Sequence, residues 1–139
     1  MREKFVREKS AEREAPVYVT FKEYSDKPTR QVYIDYYLYT RGWLGALVEA
    51  LEKGVSHKRQ RHAAGEALMN LEQIISFFNQ EGKDAAAGIH QELKEIEAQI
   101  REIPNLSRIR RNLLIRKTQR LKREFRANYT YTKAKEWLN

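Results

Sequence analysis

Between Ser107 and Asn128 the chain carries nine Lys or Arg residues against a single acid, Glu124. Guanidinium and ammonium groups at this density are suited to ion pairing with a polyanion, because each head can meet a phosphate oxygen without reading the base attached to it. The stretch sums to +8, the formal net charge of the whole 139-residue chain, so the remaining basic and acidic residues cancel. Read at about 100° per residue, Leu114, Leu121 and Phe125 share one side, with Ile109 and Leu113 widening the apolar arc. Arg108, Arg111, Arg116, Arg120, Lys122, Arg123 and Arg126 spread over the opposite arc, and Lys117 belongs with them. Ser107, just past Ile103-Pro104, supplies an N-cap. The pattern predicts an amphipathic helix with one face for a core and one for a polyanion. A merely solvated basic face is the competing reading, but helices kept soluble by charge usually mix signs at i, i+4.

Residues that could carry catalysis do not assemble into a constellation. There is no cysteine, which excludes disulfides, thiolate nucleophiles and zinc ribbons. His57 and His62 are five residues apart, about 140° around a helix, and do not share a face as paired metal ligands would; His90 stands alone. No HExxH, P-loop, dinucleotide-binding glycine pattern or GxSxG elbow occurs. Glu92, Glu95 and Glu97 read as a surface charge face. The tyrosines offer nucleophiles for strand transfer beside arginine phosphate clamps, but aromatic packing accounts for them without chemistry. The expectation is a non-enzymatic protein with no metal, cofactor or small-molecule substrate.

The elements that would position the basic stretch follow from the rest of the chain. At 139 residues one domain and one core are expected. No apolar run approaches the roughly 18–20 residues of a membrane span, and the opening MREKFVREKSAERE has no apolar signal-peptide core. The chain therefore reads as soluble and cytoplasmic, or as part of an assembly formed in the cytoplasm. A pI near 9.7 points to an acidic partner.

Residues 1–27 read as an amino-terminal arm, extended or partly helical. Arg2, Lys4, Arg7, Lys9 and Arg13 alternate with acids, and this segment has too few apolar groups to bury itself. PVYVTFKEY (16–24) alternates like a strand without an evident pairing partner, which suits an extended connector on a neighbouring surface. Residues 28–139 read as a helical bundle. Ser25-Asp26-Lys27-Pro28 supplies a cap and first-turn proline, and Tyr33, Tyr37, Leu44, Leu47 and Leu51 recur near a 3.6 period until Gly54. Within it VYIDYYLY also has strand propensity. Tyr24, Tyr33, Tyr36, Tyr37 and Tyr39 are too many for one buried face. Tyr18, Phe21, Tyr24, Tyr33, Tyr36 and Trp137 are accordingly the candidates for contact with another chain.

Ser56 caps the next helix, whose Ala64, Ala67, Leu68, Leu71, Ile74, Ile75 and Phe78 form a stripe ending before Gly82. Lys58, Arg59 and Arg61 occupy its first turns, an unfavourable sign at a helix amino end; they are either tolerated there or placed for an anion. Asp84 opens a helix with Ile89, Leu93, Ile96, Ile100 and Ile103 at spacings of 4, 3, 4 and 3, which is bundle packing. Its outer face is net negative and reads as solvent-facing. Short links imply antiparallel neighbours, so the fold class is all-α, an antiparallel four-helix bundle with an amino-terminal arm. Trp137 and Leu138 should dock either on this bundle or on the next subunit.

In layout the chain resembles the major coat proteins of filamentous archaeal viruses: a basic, partly extended amino-terminal arm followed by an antiparallel helical bundle, without cysteine. The resemblance rests on architecture and not on a diagnostic motif. It implies many copies, of this chain or paired with a related coat chain, wrapping double-stranded DNA in a helical nucleoprotein filament within a virion. It would lay Arg2 to Arg13 and the Arg108 to Arg126 face against phosphates, and give the tyrosines and PVYVTFKEY to subunit contacts. The arm departs from that pattern in being nearly balanced in charge. A second resemblance is carried by LYTRGWLGALVEALEKG, the helix ending FFNQEG and the helix after it. This segment is similar to the core of bacterial flagellin export chaperones, which implies a helical bundle that binds a partner peptide.

Overall fold

Each long helix begins where a short polar side chain accepts a backbone N–H. Thr29 Oγ1 accepts from Val32 at 3.1 Å, Ser56 Oγ from Arg59 at 3.3 Å, Asn79 Oδ1 from Gly82 at 2.9 Å and Ser107 Oγ from Arg110 at 3.1 Å. Such caps stabilise a helix by about 1 kcal/mol relative to alanine. They open α1 (Arg30–Lys53), α2 (His57–Ser76), α3 (Gln80–Glu102) and α4 (Arg108–Asn128) in a computed structural model that describes residues 28–138. A one-turn α5 (Tyr131–Ala134) and a 3-10 turn (Lys135–Trp137) complete the described chain. VYIDYYLY is helical throughout. Gly54 ends α1 in the left-handed region at φ 63°, with its own N–H bonded to Leu51 and that of Val55 to Ala50, a Schellman closure that favours glycine.

α1 packs on α2 and α4, and α3 packs on α2 and α4, so the four helices close a ring in chain order. The links span only residues 54–56, 77–79 and 103–107, which makes successive helices antiparallel. Each helix turns an apolar stripe inward. In α3 the stripe is Gly82, Ala86, Ile89, Leu93, Ile96 and Ile100; in α4 it is Leu114, Thr118, Leu121 and Phe125. Thr118 is fully buried because its hydroxyl donates to the Leu114 carbonyl at 2.7 Å. All-α bundle architecture is thus as the sequence pattern predicts.

Two boundaries differ from the sequence reading. Thr29, and not the segment before Pro28, caps α1. The break between α2 and α3 falls at residues 77–79, so α3 starts before Asp84 and Gly82 lies inside it, buried. Gly82 is there for close approach. A Cβ on it would lie 2.7 Å from both Phe78 Cβ and Trp137 Cβ, rigid stem atoms rather than mobile tips. Gly82→Ala is expected to destabilise the fold by about 1–3 kcal/mol through overpacking. Gly88→Ala, where a Cβ meets nothing within 4 Å, should instead stabilise by up to about 1 kcal/mol through helix propensity. Urea-unfolding midpoints of the two variants should move in opposite directions.

The carboxy-terminal tail docks on its own bundle. The Asn79 N–H donates to the Trp137 carbonyl at 2.6 Å, and Phe78 and Leu138 form a single antiparallel bridge. Trp137 meets Phe78 at 5.3 Å and Tyr129 at 6.0 Å between ring centroids. Beneath it the Tyr33 hydroxyl donates to the Tyr129 carbonyl at 2.7 Å. Burial, with nearby Tyr129 and Tyr37 adding to it, holds the Tyr33 phenol far above its usual range. Burial and the charge of Glu124 push Tyr129 up to about 12.

Both folded values exceed the unfolded one, near 10. The stability tied to the neutral phenols is therefore intact below about pH 10 and lost as pH rises above it. Alkaline titration should show the last tyrosinate absorbance, that of Tyr129 and Tyr33, appearing together with loss of helical circular dichroism near pH 12. Smooth ionisation near pH 10 with helicity retained would contradict this burial.

Candidate nucleic-acid interface

The geometry of α4 follows from which of its residues must be inside. With Leu114, Thr118, Leu121 and Phe125 buried, the opposite arc is centred on the row 109, 113, 116, 120 and 123. Arg108, Arg110, Arg116, Arg120, Arg123 and Arg126 are exposed, and Arg111, Lys117 and Lys122 are half-buried. The half-buried heads are partly committed to the bundle. A Cβ on Gly45 would lie 3.2 Å from the Lys122 ammonium, and one on Gly54 would lie 3.2 Å from the Arg111 guanidinium, so Lys122 lies along α1 and Arg111 at its carboxy-terminal cap.

Neighbouring helices also reach the row. Arg120 forms an ion pair with Glu92 of α3, and Gln119 donates to Glu52 of α1 at 3.4 Å. The outer face of α3 is therefore not wholly given to solvent, because Glu92 belongs to the seam with α4. Among the described residues Arg120 is the α4 cation that makes an ion pair; Arg108, Arg110, Arg116, Arg123 and Arg126 have no carboxylate within ion-pair distance. The first turn of α4 holds no acid while Arg108, Arg110 and Arg111 crowd it, an unfavourable match to the positive end of the helix dipole. An anion against this turn relieves that repulsion.

Ile109 and Leu113 correct the sequence reading. Ile109 is 84% exposed and Leu113 is 42% exposed. Ile109 is five residues from Leu114, about 140° around the helix, so it lies in the outer row at the amino end and not on the core arc.

Lys58, Arg59 and Arg61 are not brought to this face. They are exposed on α2, which packs between α1 and α3 and lies across the ring from α4. Arg59 lines the groove shared with α1, Arg61 lines one with Glu66 and Glu97 on the side of α3, and Lys58 borders both. Arg2, Lys4, Arg7, Lys9, Arg13, Tyr18, Phe21 and Tyr24 lie outside the described residues.

Two of the residues assigned to subunit contact belong to their own chain. Tyr33 is fully buried because its hydroxyl finds a carbonyl partner in the core. Trp137 is half-buried against Phe78 and Tyr129. Tyr36 is half-buried, edge-on to Tyr39 and Phe77, while Tyr39 is exposed.

Of the three histidines, His57 Nε2 donates to the Ile100 carbonyl at 2.6 Å, His90 Nε2 lies 2.8 Å from Glu72, and His62 meets the indole of Trp43 edge to face. The Trp43–His62 pairing joins α1 to α2. Their spacing across two helices leaves no local signal. Among the described residues no helix is long and apolar enough to cross a membrane. Comparison with known proteins gives no match, whether to protein-family models, curated proteins or solved structures.

Proposed function

We propose that this chain is a non-enzymatic structural protein that binds nucleic acid, with duplex DNA as its partner, through the outer face of α4. One observation carries the reading: five exposed arginines of α4 have no carboxylate within ion-pair distance among the described residues, on a helix whose inward face is held by Leu114, Leu121 and Phe125. Recognition is by charge and shape. Arg and Lys heads on one helical face contact phosphates and do not select a sequence. In its fuller form, supported by the layout of arm and bundle, many copies coat double-stranded DNA in a helical filament, as a virion coat protein does.

The test of that fuller form is purification at high salt, followed by sizing and electron microscopy with and without duplex DNA as salt is lowered. Regular filaments that require DNA are expected. A discrete small species indifferent to DNA would overturn the coat assignment.

A second reading, a chaperone or adaptor resembling flagellin export chaperones, is favoured by Ile109 and Leu113. They stand exposed in the same row as Arg116, Arg120 and Arg123, an apolar patch suited to the apolar face of an amphipathic helix. Such binding would depend weakly on salt and leave a small oligomer.

A further inference from the structure

Between α1 and α2 lies a cavity of about 590 Å3 that phosphate binding on α4 leaves unused. Its floor is apolar because the two helices meet there through short side chains, Ala46, Ala50 and Ala63. Trp43 forms one wall, its indole edge-to-face with the His62 ring at 5.2 Å. The rim carries Lys53, Lys58 and Arg59 with one carboxylate, Glu49. Lys53 holds Glu49 at 2.8 Å, and no carboxylate lies within ion-pair distance of Lys58 or Arg59 among the described residues.

These features select a ligand by chemistry. The volume lies within the roughly 300–1,000 Å3 of small-molecule sites. A surplus of positive charge on the rim disfavours cations. An aromatic wall over a floor of methyl groups suits a flat ring, on which stacking is tolerant of base identity, and at the rim Lys58 and Arg59, the latter acting on Glu49 through charge without forming an ion pair, suit a phosphate joined to that ring.

We infer that the α1–α2 cavity binds a single nucleotide, its base against Trp43 and the alanine floor and its phosphate on Lys58 and Arg59. This gives Arg59, and Lys58 at the boundary of the two grooves, an anion to hold, while Arg61 lines only the groove on the side of α3. The inference rests on the nucleic-acid reading only for the source of the ligand. The same chemistry is offered by a free nucleotide and by an unpaired nucleotide at the end of a bound strand.

The experiment uses the full chain with Trp137→Phe, which keeps a ring on Phe78 and leaves Trp43 as the reporting indole. Trp43 fluorescence is titrated with dAMP, with inorganic phosphate, with a blunt duplex and with the same duplex bearing a single-stranded overhang. Saturable quenching by dAMP but not by phosphate is expected. Lys58→Glu with Arg59→Glu should weaken dAMP binding about tenfold or more, as loss of charge-assisted hydrogen bonds implies.

Quenching by the overhang that dAMP displaces assigns the site to strand ends; quenching by dAMP alone assigns it to free nucleotide. The inference is overturned if neither dAMP nor the overhang changes the fluorescence, if phosphate acts as well as dAMP, or if the double variant binds dAMP as the parent does. Blunt-duplex anisotropy on the same samples reads the α4 face separately. Its loss in the parent sinks the α4 reading, whereas its retention in the double variant shows that the two sites are distinct.

Discussion

Replacing Arg116, Arg123 and Arg126 together by Glu is expected to abolish duplex binding while leaving helicity and the melting transition close to those of the parent. All three side chains are exposed, and none has an ion-pair partner among the described residues, so reversal breaks no ion pair among them. Arg120 is left in place because it pairs with Glu92; a glutamate there would set two carboxylates against each other and mix a stability effect with the binding effect. The corresponding alanine triple gives the graded result. Each phosphate contact removed lowers the slope of log affinity against log salt by about 0.9 for duplex DNA, so the alanine variant should flatten it by nearly 3 if all three heads touch phosphates. Fluorescence anisotropy with a labelled duplex across a salt series measures this, and circular dichroism on the same samples checks the fold. Undiminished binding by the glutamate triple would mean that the cations of α4 are not the contact surface.

Phe125→Ala is expected to act in the opposite way, through the fold and not through charge. The Phe125 ring is fully buried and stacks on Tyr37 at 5.0 Å and on Tyr129 at 5.5 Å. Truncating a buried phenylalanine costs about 3–5 kcal/mol, a large share of the roughly 5–15 kcal/mol that holds a domain folded. For a chain of this size the melting temperature should fall by roughly 10–20 °C. Where the variant is still folded, its duplex affinity and salt slope should match the parent, because the arginine heads are untouched. A drop in affinity at low temperature, with full helicity, would show that the aromatic cluster shapes the binding face as well as supporting it.

Much of the architecture was legible because it is local. The heptad-like spacing of Ile89, Leu93, Ile96 and Ile100 fixes the buried stripe of α3, and Ser56, Ser107 and Gly54 mark helix ends by chemistry that acts within a turn. What was not legible depends on distant partners. Gly82 has the look of a terminator until Trp137, 55 positions later in the chain, is seen against it. Tyr33 falls on the inward stripe of α1 and also among the candidates for subunit contact, and only the carbonyl of Tyr129, far along the sequence, shows where its hydroxyl is satisfied.

The candidate face divides the same way. Its surplus of charge is written in the composition of residues 107–128, but the direction of each head is not. Lys122 lies along α1, Arg111 lies at the Gly54 end of α1, and Arg120 reaches Glu92, commitments that only the packed neighbours reveal. Ile109 misleads for a different reason: it is an apolar side chain close in sequence to an apolar stripe, although its separation of five residues from Leu114 sets it on the opposite side of the helix.

The most direct measurement is duplex affinity across a salt series for two duplexes of equal length and unrelated sequence. Binding through the α4 face predicts equal affinities for both and a steep linear fall of log affinity with log salt, with several phosphates engaged. A shallow slope, or one sequence strongly preferred over the other, would contradict it.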